Sequence, residues 1–108
     1  MFEDLVDSIS KLWSWRWPEV DGEITETIVE RIKHGRDNFT YRLGIAFVFS
    51  VNADGPYTGE DFWSPAFFGK RRVSAAAHKF HKHQQVLVRY RPSDPSINRL
   101  DRSVWRDL

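Results

Sequence analysis

Cysteine is absent from the 108 residues, and with it go disulfide cross-links, thiolate nucleophiles and cysteine-ligated zinc or iron–sulfur centres. Long hydrophobic runs are missing too. The longest, Ile45–Phe49, is far shorter than the roughly 20 apolar residues a membrane-spanning helix needs. Met1–Asp7 is acidic where a secretory leader is basic, and no extended apolar stretch follows it. A soluble, cytoplasmic chain without a transmembrane segment is expected, with peripheral membrane association left as an open alternative. Gly-rich phosphate fingerprints and nucleophile motifs are lacking as well. The expectation is a non-enzymatic protein with no catalytic residues, no metal and no cofactor.

What is present suffices for one core. Apolar residues make up 41% of the chain and aromatic residues 15%, enough to offset the ordering entropy of a domain this size. The net charge of +1 conceals an asymmetry. Residues 1–54 carry six Lys and Arg against ten acids (net −4), and residues 55–108 carry ten against five (net +5). No acid falls between Asp61 and Asp94, while Lys70, Arg71, Arg72, Lys79, Lys82, Arg89 and Arg91 all do. Such a stretch attracts anionic partners unless neighbouring strands compensate it.

Phe2, Leu5, Val6, Ile9, Leu12 and Trp13 recur at helical spacing, which predicts an amphipathic helix over residues 2–14 that packs on the body of the same chain. Trp17-Pro18 ends it. A membrane-surface role for Trp13, Trp15 and Trp17 is the alternative, weakened by the acidic polar face. Gly22–Lys33 has a helical stripe, but its density of β-branched residues favours a strand. Thr40–Val51 alternates strictly and predicts a long strand with one face in the core. Asn52–Gly55 supplies the turn, through an Asp-Gly that tolerates positive φ, and Pro56–Trp63 returns as hairpin partner. Ser64–Gly69 reads as a loop, Val73–His83 as a helix and Gln85–Arg91 as a strand. Pro92–Pro95 reads as a turn and Ile97–Leu100 as an edge strand. In the tail, Val104, Trp105 and Leu108 are expected to fold back.

These elements compose an α+β fold. About five mostly antiparallel strands form a curved sheet or small, partly open β-barrel, with the N-terminal amphipathic helix and one helix near residues 73–83. The chain is one domain, 1–108: helix 1–16, a β-rich body 17–100 and a tail 101–108. Ile24, Ile28, Leu43, Ile45, Phe47, Phe49, Val86, Val88 and Tyr90 are the predicted core.

Few side chains combine into recognisable chemistry. His78 and His81 share a helix face in this reading, but His83 points elsewhere and no acid lies nearby in sequence, so a metal site is not expected. Ser74 is expected to cap the second helix, and the adjacent Glu60 and Asp61 to be exposed charges on opposite strand faces. The best functional candidate is an aromatic and basic set, Trp63, Phe67, Phe68, Arg71, Arg72, Arg89 and Arg91, set against the simpler reading that these aromatics pack in the core or against a helix and the arginines only solubilise. It predicts a protein-interaction module binding an unknown protein partner, with self-association through the N-terminal helix as a further option. The alternative is single-stranded nucleic-acid binding by a small β-barrel, bases stacking on the aromatics within a cationic groove.

From Trp17 onward the order of motifs resembles a bacterial family of unknown function, DUF3592. The resemblance rests on Trp17-Pro18, Gly22, the alternating Tyr41–Val51, Asp54-Gly55 before Tyr57-Thr58-Gly59, and Ala75–Ala77. It closes on Val86-Leu87-Val88-Arg89-Tyr90-Arg91-Pro92, Pro95 and Leu100. It supports a strand over Gly22–Lys33 and implies no enzymology. Two features depart from the family pattern. His81 and His83 stand where Pro and Gly are frequent, and an amphipathic segment precedes the Trp-Pro in place of the transmembrane helices many members carry.

Overall fold

A computed structural model describes residues 16–108. The helix expected over residues 2–14, with Trp13 and Trp15, lies outside the described residues. Five strands form one antiparallel sheet: β1 (Glu19–His34), β2 (Asn38–Val51), β3 (Asp54–Phe62), β4 (Gln85–Arg91) and β5 (Asp94–Leu100). Their order across the sheet is β3-β2-β1-β4-β5. One α-helix, α1 (Lys70–Ala77), and a 3-10 turn, Arg102–Trp105, complete the described elements. The fold is mostly β.

β1 is a strand because its β-branched residues suit a pleated surface better than a helix. It runs antiparallel to β2 from Gly22 opposite Phe49 to His34 opposite Asn38, and Gly35 closes the hairpin at φ 76°. On its other side β4 pairs only with Glu19–Glu23. The rest of β1 and the start of β2 therefore form a two-stranded arm.

A register shift between Ile24 and Glu26 decides which residues of β1 reach the core. Ile24 sits opposite Phe47 and is fully buried, but beyond the bulge the faces exchange. Ile28 then falls opposite Gly44 and is only half-buried, which corrects its placement in the core. Tyr90 is half-buried as well, stacked against Phe49 at the core margin. Leu43, Ile45, Phe47, Phe49, Val86 and Val88 are buried as expected, joined by Val73, Ala76, Ala77, Phe80, Leu100 and Trp105. Burial of each large apolar side chain contributes about 1.5–3 kcal/mol.

The sheet stays open. β3 and β5 are its edges and are tied by side chains rather than by a ladder. Asn98 Nδ2 donates to the Thr58 carbonyl at 3.3 Å, and Leu100 N–H donates to Asp61 Oδ2 at 3.1 Å. Asp61 is thus half-buried and structural rather than an exposed charge. Gly59 permits this approach: a Cβ there would meet Asn98 and stand 2.5 Å from the Phe47 ring.

Two local expectations change. The helix starts three residues earlier than Val73 and stops at Ala77 rather than His83. Gly69, at φ 115°, turns the chain into it without a side-chain cap, and Ser74 lies inside it. After Ala77 the chain tightens, Lys79 N–H donating to Ala76 O and Phe80 N–H to Ala77 O, which sets Phe80 into the core. His83 then adopts φ 71° and its N–H reaches Ile24 O at 2.8 Å, so the segment prolongs the β1–β4 pairing. In the β2–β3 hairpin the two positive-φ turn residues are Asn52 and Ala53, and β3 begins at Asp54.

Candidate functional site

The loop after β3 continues along the edge of β2. Trp63 N–H donates to Leu43 O at 2.8 Å, and Phe67 forms a bridge with Tyr41 in both directions. In extended chain, neighbouring side chains point to opposite faces. Phe67 accordingly packs against the core, while Phe68 is left 75% exposed. Phe68 and Ala66 join Ile32, His34, Phe39 and Thr40 of the arm around a recess of about 580 Å³. The chain then turns at Gly69 into Lys70, Arg71 and Arg72, all exposed at the start of α1. Val73, Ala76 and Ala77 bury the opposite side of that helix.

The remaining predicted residues sit elsewhere. Trp63 packs on Trp105 with ring centroids 5.7 Å apart, against the core. Arg89 lies opposite Glu19, at the far end of β1 from the Phe68 recess. Its side chain is 17% exposed, and its guanidinium spans three acceptors: Asp101 Oδ1 at 2.6 Å, Glu19 Oε1 at 2.7 Å and the Trp17 carbonyl at 2.9 Å. Burial pushes the Asp101 carboxyl up, but hydrogen bonds from the Ser103 hydroxyl and N–H and from Arg89 outweigh it, and its pKa falls to about 2. Arg89 is therefore a structural cation. Arg91 is half-buried at the end of β4. Phe68, Arg71 and Arg72 are exposed and near one another in the chain, though neither arginine lines the recess, and the other four of the seven lie elsewhere.

Ile32, Phe39 and Ala66 were not apparent as site residues in the sequence. The register of the β1–β2 hairpin, fixed by the Gly35 turn, is the signal that places the first two beside Phe68.

The histidines do not converge. His78 follows the last helical residue, and His81 N–H donates to Gln84 Oε1 at 3.0 Å. His83 Nδ1 pairs with Glu23 Oε1 at 2.5 Å, a partner distant in sequence. Among the described residues no group of three His, Cys, Asp or Glu could hold a metal ion. No described helix is long and apolar enough to cross a membrane.

No curated protein and no solved structure matches the chain. A family model described as "Domain of unknown function (DUF3592)" matches residues 20–105, which takes in the sheet, α1 and the 3-10 turn. The chain belongs to the DUF3592 family.

Proposed function

We propose that this domain is a non-enzymatic protein-interaction module. Its partner inserts an apolar side chain beside Phe68 and sets acidic residues against Arg71 and Arg72. The observation that carries this reading is the exposure of Phe68 at the mouth of a 580 Å³ recess. Phe68 does not stand alone, since Ile32, Phe39 and Ala66 line the same recess, and aromatic anchors beside arginine are typical hot-spot chemistry. Lys70, Arg71 and Arg72 follow Phe68 in the chain, and Arg31, Lys33 and Arg36 lie at the end of the arm. Their charge favours an acidic partner and speeds its encounter.

Single-stranded nucleic acid would also answer to the cations. That reading needs several aromatic faces open for stacking, and Trp63 and Phe67 instead pack against the core.

A photocrosslinking residue at position 68 of the full chain should capture the partner, and competing oligonucleotide should not displace it. Reversing charge in Arg71→Glu/Arg72→Glu should weaken the purified complex by about tenfold or more. Capture that is unchanged in the double variant would overturn the reading. Displacement by oligonucleotide, with affinity falling steeply in salt, would establish the nucleic-acid alternative in its place.

A further inference from the structure

β1 has an open side along the arm. Among the described residues, nothing beyond Ile24 pairs with it on the side away from β2, and Ile24 itself bonds to Gln84 and His83. Directly opposed residues of an antiparallel pair exchange main-chain bonds or turn them away from each other, in alternation. Leu43 and Tyr41 of β2 bond to Trp63 and Phe67 on the far side. Val29 and Arg31, which lie opposite them, therefore aim their N–H and carbonyl groups at the open side. By the same alternation Thr27 and Lys33 do so too. These four residues form an unpaired ladder edge, a template for another strand. Val29, at its middle, is 45% exposed.

We propose that two copies of this chain pair along this edge, antiparallel about a two-fold axis. Such an axis stands perpendicular to the sheet, so each residue faces one from the same side of the strand. That leaves few registers. An axis at Val29 brings the second arm up to Ile24, whose bonds are taken, and one at Arg31 sets Arg31 against itself. An axis at Glu30 avoids both and uses all four edge residues, Thr27 bonding to Lys33 and Val29 to Arg31, each twice. The side chains then complement one another. Ile28 meets Ile32, Glu26 meets His34, and the Arg31 stem covers Val29. Glu30 meets its own copy, but in each chain Arg42 already offsets its charge at 2.6 Å. The inference does not rest on the protein partner proposed above, because Phe68 stands beyond the other edge of β2.

Sedimentation equilibrium of the full chain should show monomers and dimers, with a Kd below about 100 µM for so small an interface. Amide exchange at Thr27, Val29, Arg31 and Lys33 should slow by about threefold or more between dilute and concentrated protein. Val29→Lys sets a second cation against Arg31 on both sides of the axis. Val29 is exposed, so the melt of the dilute variant should hold while the Kd rises about tenfold or more. The chain has no cysteine, so a single one reports the register. Glu30→Cys should oxidise to a covalent dimer faster than Glu60→Cys, which is exposed on β3. A chain monomeric to about 1 mM would overturn the proposal. So would exchange at the four amides that ignores concentration, which places any dimer contact elsewhere or a segment of the same chain on the edge. A Kd unmoved by Val29→Lys, or equal oxidation of the two cysteine variants, would overturn it as well.

Discussion

Arg89 Nε donates to Asp101 Oδ1 at 2.6 Å, while Asp101 Oδ2 accepts the Ser103 N–H at 3.0 Å and so starts the 3-10 turn. Through Arg89 of β4, which also bonds the Trp17 carbonyl and Glu19, this carboxylate links the beginning of β1 to the end of β5 and to the turn that carries Trp105 into the core. With its pKa lowered from 3.8 to about 2, the ionised form is favoured in the folded state. Its stabilisation is therefore complete above about pH 4 and is lost as pH falls toward 2. The shift corresponds to on the order of 1–2 kcal/mol at neutral pH. In urea titrations at pH 7 and at about pH 2.5, Asp101→Asn should cost clearly more stability at the higher pH than at the lower. Equal losses at both would show that the charge is not what matters. Asp94 is lowered as well, by its hydrogen bonds with Ser96, so some acid sensitivity should survive the substitution.

Phe67 and Phe68 are neighbours in opposite surroundings, one packed against the core and the other exposed. Phe67→Ala removes a ring packed against the core and should cost about 2 kcal/mol, whereas Phe68→Ala should stay within about 0.5 kcal/mol of the parent. Paired thermal melts decide this. A large loss for Phe68→Ala would mean that its ring serves the fold rather than a partner.

Gly59 governs the closeness of the two sheet edges. Gly59→Ala pushes a methyl group into Asn98 and the Phe47 ring, and should destabilise by about 1–3 kcal/mol. Amide exchange in the variant should speed up at Leu100, whose N–H bonds to Asp61 across the edges. Protection unchanged at Leu100 would contradict the coupling of β3 to β5.

The strands were legible because their signals are local. Alternation from Tyr41 to Val51 dictates one buried face of β2, and β-branching outweighs the helical stripe in β1. The end of α1 was not legible. Lys79 and Lys82 suit a helix, and only the main-chain bond from His83 to Ile24, across the sheet, ends it sooner. The fate of Ile28 depended on a bulge at Thr25 that no residue type announces. Arg89 looked like a binding cation because its neutralising partners, Glu19 and Asp101, come from other segments. Phe68 and the arginines after it were visible as a charged aromatic stretch, but not the recess, which needs the hairpin register.

The central claim is that the surface around Phe68 binds a partner without supporting the fold. Its most direct test is the equilibrium affinity of the crosslink-identified partner for the full chain and for Phe68→Asp, measured alongside their thermal melts. The account predicts a loss of affinity of about 2 kcal/mol or more with a melt shifted by no more than about 2 °C. Undiminished affinity in a folded Phe68→Asp chain would contradict it.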